Sequence, residues 1–229
     1  MKRIAVIVCL LLTHGVATRH AQDFRSVVEV DVTTSSGSRG VMVRPPGSGP
    51  FPAILHLHGA GETAAGEIEV LRIFAKAGYV AMDVDYRGSG PNRIDISDIY
   101  KSIDYLNESR FVRSGAIALN GFSLGGRMSL RVAASRKVVA VSAIAARTTG
   151  GSTPTVLQEV GKLSCPILLQ HGTDDSVVPY EDAVLLDKSL KSLGRDVTLL
   201  SYPGSGHNNL PWGKVYGEVL SFFRTHLRG

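Results

Sequence analysis

The sequence predicts an α/β fold: a mostly parallel eight-stranded sheet with helices on both faces and no sizeable cap domain. Three observations carry that expectation. From Pro52 onward, short apolar runs alternate with stretches of helical periodicity, and such alternation builds a parallel sheet whose crossovers cover both faces. The chain has 229 residues, 44% of them apolar and 20% charged, which suits one ordinary globular domain and excludes a disordered chain. Only 21 residues separate Ile144 from Pro166, too short a span for an inserted lid.

The elements follow in order. Residues 26–33 and 39–44 are rich in β-branched side chains and flank the turn-forming Ser35-Ser36-Gly37-Ser38, so they should form a hairpin, the one clearly antiparallel pair. Parallel strands are expected at 52–58, 79–85, 115–120, 138–144, 166–171 and 196–202, each an apolar run of strand length. Helices fall between or after them at 66–77, 92–108, 124–135, 181–193 and 213–227. In the last, Val215, Val219, Phe222 and Phe223 make one apolar stripe. In open parallel sheets ligands sit beyond the carboxyl ends of the strands, which directs attention to the residues just after each run.

The amino terminus reads differently. Met1-Lys2-Arg3 precedes the apolar run Ile4 to Leu12 and a short polar stretch with small residues, the pattern of a secretory signal peptide. Cleavage after Ala17 puts Gly15 and Ala17 at the −3 and −1 positions, whereas cleavage after Ala21, the second choice, puts Arg19 at −3. Residues 1–17 are therefore expected to be a leader and 18–229 a single exported domain, periplasmic or secreted. No apolar run approaches the roughly 20 residues that span a bilayer. Loss of the leader removes Lys2 and Arg3 and no acid, leaving 23 basic residues against 20 acidic ones. No block of like charge remains, so nucleic-acid binding has no support; Arg127 and Arg131 share a helix face that reads as solvated. Cys165 is then the one cysteine, which excludes an internal disulfide. The sequence does not specify an oligomeric state.

The chemistry lies in three loops. After the run 115–120 comes Gly121-Phe122-Ser123-Leu124-Gly125-Gly126 and then a helix, the context of a GxSxG nucleophile elbow. A side chain at Gly121 or Gly125 would strike the neighbouring strand or helix, while Ser123 is held out at the helix N-terminus. A serine hydroxyl is a poor nucleophile at neutral pH and needs a base within hydrogen-bond reach, itself oriented by a carboxylate. His171-Gly172-Thr173-Asp174-Asp175 places an acid after one strand, and Tyr202-Pro203-Gly204-Ser205-Gly206-His207 places His207 in a Gly-rich loop after the last. The amide of Leu124, directly after the nucleophile, is the expected donor to the oxyanion that develops on an attacked carbonyl.

GFSLGG, HGTDDSVVP and PGSGH together resemble the α/β-hydrolase superfamily, in particular its dienelactone hydrolase and prolyl-oligopeptidase-like branch of serine hydrolases, over essentially the whole mature chain. The resemblance implies that Asp175 of the HGxxDxxVP pattern is the triad acid, with Asp174 a spacer. It also implies that His58-Gly59-Ala60-Gly61 is the oxyanion loop, with Ala60 the second amide donor. Dienelactone hydrolases proper are known for a cysteine nucleophile, and Ser123 departs from that. The acidic turn Asp83 to Arg87 reads as structural. Arg147, after the sixth strand, is a candidate ligand for a substrate carboxylate, and Trp212 a candidate pocket wall.

His56 and His58, at i and i+2, suggest a rival metallohydrolase that could recruit His171, Asp175 or His207. That reading leaves the elbow unexplained, so the expectation is no metal and no organic cofactor. With no lid, the site should be open and suited to short or exposed acyl esters. The expected activity is that of a carboxylesterase-like serine hydrolase, with a peptidase or amidase as the alternative and a noncatalytic binding module a poor third.

Overall fold

In the computed structural model, which describes residues 26–87, 95–150 and 155–227, the apolar runs become strands β1 (Val28–Thr33), β2 (Arg39–Arg44), β3 (Phe51–Leu57), β4 (Val80–Val84), β5 (Val112–Phe122), β6 (Val141–Ile144), β7 (Ile167–Gly172) and β8 (Val197–Tyr202). The leader lies outside the described residues, as does the first part of the 92–108 stretch. The strands form one sheet in the order β1-β2-β4-β3-β5-β6-β7-β8. All neighbours from β4 to β8 are parallel, but β2 runs antiparallel to β4 as well as to β1. The hairpin leaves β2 on the inside, so one reversed strand has an opposed neighbour on each side, and there are two antiparallel pairs where one was expected.

Helices α1 (Ile68–Lys76), α2 (Ile96–Glu108), α3 (Leu124–Ala133), α4 (Val156–Glu159), α5 (Tyr180–Ser192) and α6 (Trp212–His226) complete the fold. Alternation along each strand divides the core. On β3, Leu55 and Leu57 join Ile99, Ile103, Met128, Leu186 and Leu190 from α2, α3 and α5. Ile54, on the other face, joins Leu71 and Phe74 of α1 and Val215, Val219 and Phe223 of α6. The 21 residues after Ile144 hold only the single turn α4 and a 3-10 turn, Val160–Lys162, with no cap domain among the described residues. No described helix is long and apolar enough to cross a membrane.

Arg87 is structural. It reaches Asp98 through Nε at 3.0 Å and Nη2 at 2.7 Å, tying the turn after β4 to the start of α2. Burial raises the Asp98 pKa, but hydrogen bonds from Arg87, Ser36 and Ser38 outweigh it and hold the carboxyl down at about 2. A depressed carboxylate contributes stability that is present above its unfolded pKa and lost as pH falls through the folded value. Arg87→Met should therefore cost roughly 1–2 kcal/mol at neutral pH, discounted for the exposed guanidinium. In urea denaturation, that difference should shrink as pH falls from about 4 towards 2.

Candidate active site

The nucleophile position is built by close packing. At the end of β5 the chain turns directly into α3, with Ser123 at φ 53° and ψ −112° and its amide donating to the Ile144 carbonyl at 2.7 Å. A Cβ on Gly121 would stand 2.3 Å from the Gly125 carbonyl carbon, and one on Gly125 would stand 1.8 Å from the Leu57 carbonyl oxygen. Only glycine lets α3 approach β3 this closely. Gly125→Ala should cost roughly 3 kcal/mol or more, since backbone must move to admit the methyl group. The check is a thermal melt, in which an unchanged midpoint would contradict the packing.

Asp175 and His207 arrive from loops that are themselves locked together. A Cβ on Gly172, at the end of β7, would lie 2.2 Å from the Ser205 carbonyl oxygen, and the Asp174 amide donates to that same oxygen at 3.0 Å. His207 Nδ1–H donates to Asp175 Oδ2 at 2.7 Å, and Ser123 Oγ–H donates to His207 Nε2 at 3.0 Å. Asp175 Oδ1 accepts the amides of Val177 and Val178, both at 2.8 Å. Burial raises the Asp175 pKa, but the bonds from His207, Val178 and Val177 prevail and hold it below the usual carboxylate value. His171 donates from Nε2 to the Val178 carbonyl at 3.0 Å, anchoring the acid loop. Its pKa is lowered, chiefly by burial, which favours the uncharged ring. Asp174 is exposed, and its carboxylate accepts the Thr173 hydroxyl at 2.9 Å.

The loop after β3 is equally fixed. His58 Nδ1–H donates to the Gly59 carbonyl at 2.9 Å, Tyr86 donates its hydroxyl to the His58 carbonyl, and the amides of Gly59 and Ala64 donate to Glu62 and Asp85. This holds Ala60 beside Ser123 and Leu124, and the three line one cavity. Among the described residues nothing accepts a hydrogen bond from the amides of Ala60 or Leu124. A serine hydroxyl bonded to an imidazole, that imidazole bonded to a carboxylate, and two free amides at the same cavity form an arrangement that could carry out acyl transfer.

The dienelactone hydrolase family model matches residues 90–210, more than half of the chain. The chain belongs to the dienelactone hydrolase family. It is also similar to acyl-protein thioesterase 1 of Gibberella zeae, 27% identical over 84% of this chain and 98% of that one. The uncharacterized peptidase YtmA of Bacillus subtilis is 26% identical over 74% of this chain and 80% of its own length. Among solved structures, an esterase of Pyrococcus furiosus superposes with a TM-score of 0.73 at 17% identity, covering 94% of this chain and 97% of that one, which shows the shared fold. The protein is a hydrolase by family.

Two cavities of this dienelactone hydrolase family member involve the elbow, one lined by Ser123 and the other by its neighbour Phe122. One, about 350 Å³, is lined by Ala60, Ser123, Leu124, Arg127, Arg147 and Val177. Arg147 is oriented by a 2.8 Å bond to the Val177 carbonyl, and its loop is pinned by Asp182, which accepts the amides of Thr148 and Thr149. Arg127 is not on a solvated face, as its sequence pattern suggested: it is 4% exposed and faces this cavity, while Arg131 is half-buried beside Glu159 at 3.6 Å. Helix α3 is central, covered by α4 and by the loop after β6, so its polar side is roofed over. The close glycines of the elbow were the available signal. Trp212 lines the second, neighbouring cavity, together with Phe122, which also packs against His207 with ring centroids 5.0 Å apart. Of five exposed large apolar side chains among the described residues, Val177 lines the first cavity and Ile73 the second.

The two β3-end histidines do not act together. His56 accepts from Asn120 at Nδ1 (2.8 Å) and donates from Nε2 to Glu67 (3.1 Å), against Phe74 of one core cluster. His58 lies beyond the strand end and stacks on Tyr86 of the other. Among the described residues no group of three or more His, Cys, Asp or Glu is placed to hold a metal. Cys165 is half-buried and burial pushes its thiol up to about 11, which disfavours the thiolate.

Proposed function

We propose that the protein is an exported serine esterase acting on short or exposed carboxylic esters. Ser123 Oγ attacks the ester carbonyl as His207 Nε2 takes its proton, Asp175 steadies the imidazolium, and the amides of Ala60 and Leu124 receive the oxyanion. Collapse breaks the carbonyl–alkoxide bond, and His207 returns the proton to the departing alcohol. Water, deprotonated by His207, then attacks the acyl-serine and regenerates the hydroxyl. The observation that carries this reading is the unbroken hydrogen-bond chain from Asp175 through His207 to Ser123 at a cavity with two free amides. The names of the relatives, a thioesterase, a peptidase and an esterase, all describe attack on an acyl carbon. Amide hydrolysis is the second reading, favoured by the likeness to YtmA.

Arg147, with Arg127 beside it, is proposed to favour an acyl group that is neutral or carries a carboxylate. Export by the 1–17 leader, to the periplasm or beyond, is supported by its charge and apolar pattern. The test is hydrolysis of p-nitrophenyl esters from acetate to laurate. Because the cavity holding Ser123 is small and no cap covers it among the described residues, kcat/KM should be highest for short chains and fall towards laurate. A rise towards laurate would contradict the open-site reading, and turnover of peptide anilides but no ester would replace esterase by peptidase.

A further inference from the structure

We infer that the cavity beside His207 binds a positively charged, ammonium-bearing leaving group, so that the preferred substrates are esters of amino alcohols; this rests on the esterase reading above. The cavity measures about 500 Å³, ample for a trimethylammonium group. Its wall is aromatic: Trp212 stacks on Tyr216 with centroids 5.9 Å apart, and Phe122 meets Trp212 edge-on at 5.2 Å. Ring faces attract cations through their quadrupole, and tryptophan does so most strongly. Glu62 and Glu67 line the same cavity, and among the described residues no basic side chain does.

Both carboxylates keep capacity for a ligand. Glu67 takes the His56 Nε2–H on Oε2, and that bond lowers its pKa against the opposing effect of burial. Glu62 takes the Gly59 amide on Oε2 at 2.5 Å. Each has a second oxygen. Their field reaches the cavity wall: burial pushes the Tyr216 phenol up first, and the charges of Glu67 and Glu62 push it further.

Proton transfer decides which half of the ester goes where. His207 must protonate the departing oxygen, so the alcohol leaves on the His207 side. Phe122, packed on His207, and Asn208, next to it in sequence, line the acidic aromatic cavity. The acyl half is left to the cavity of the Ala60 and Leu124 amides, where Arg127 and Arg147 would repel a cation. The two cavities, one holding Ser123 and the other reached through Phe122 and Asn208 beside His207, thus have opposite electrostatic character.

The experiment compares kcat/KM of the full chain for butyrylcholine and for 3,3-dimethylbutyl butyrate, which has the same shape without the charge. The choline ester should be preferred roughly 5- to 30-fold. Trp212→Ala and Glu67→Gln should each move that ratio towards one, and a ratio is readable even in a partly impaired variant. Equal or faster turnover of the neutral ester by the wild type would overturn the inference, as would a ratio unmoved in both variants. If neither ester is hydrolysed, the esterase reading fails and binding decides. Trp212 is the only tryptophan of the chain, so its fluorescence reports the cavity directly. Saturable quenching by choline but not by 3,3-dimethylbutanol supports the cation site, and an equal response or none overturns it.

Discussion

Ser123→Ala should abolish ester hydrolysis, lowering kcat by about 10⁴-fold or more while leaving the melting temperature close to that of the wild type. The hydroxyl is half-buried and bonds His207 at 3.0 Å, so its removal empties no core space. The Ser123 backbone keeps its amide bond to Ile144, and alanine, like serine, is strained at φ 53°. What remains is the oxyanion donors and substrate binding, which alone give a residual rate above that in water. Activity within about tenfold of wild type would mean that the nucleophile is elsewhere, because no remaining group in the constellation can form the acyl bond.

Asp175→Asn is the second large effect, and geometry gives its sign. The asparagine carbonyl can keep the bonds from the Val177 and Val178 amides that Oδ1 now accepts, so the loop retains its shape. Its NH₂ then faces His207 Nδ1 where Oδ2 stood. A donor there makes Nδ1 an acceptor and moves the ring proton to Nε2, which can no longer take the Ser123 proton. The expected result is a loss of about 10⁴-fold in kcat with little change in KM. Single-turnover acylation kinetics is the check. A drop confined to KM would show that Asp175 acts in binding, not in orienting the base.

Much of this was legible because the signals were local. Apolar runs bounded by turns gave the strands, and β3, β4, β7 and β8 begin and end within a residue or two of the expected limits. Strand β5 runs from Val112, earlier than the apolar run that begins at 115, because half-buried Arg113 and exposed Ser114 are polar residues that period counting passes over. The four-residue α4 is too short to show a helical period. The elbow, acid loop and base loop could be read in order because each follows a strand end. Residues 174 and 175 are adjacent acids that no spacing separates physically; the backbone bonds of Val177 and Val178 to Asp175 are what turn that carboxylate towards His207.

The second cavity was not legible. Glu62 and Glu67 belong to the loop before α1, Phe122 to the elbow and Tyr216 to α6, and only the sheet order brings them together. Arg127 was misread for a related reason: helix periodicity shows which residues share a face but not whether α4 covers it. Its neighbours on α3 are nearly all buried, which reflects the position of α3 over the middle of the sheet.

The most direct test of the proposed chemistry is covalent labelling with a fluorophosphonate, followed by intact mass and peptide mapping. A reactive serine should give one adduct per chain, on Ser123, formed equally in chelator and absent from Ser123→Ala. An unlabelled protein that nonetheless hydrolyses esters, or an adduct on any other residue, would contradict the assignment of Ser123, His207 and Asp175 as one catalytic unit.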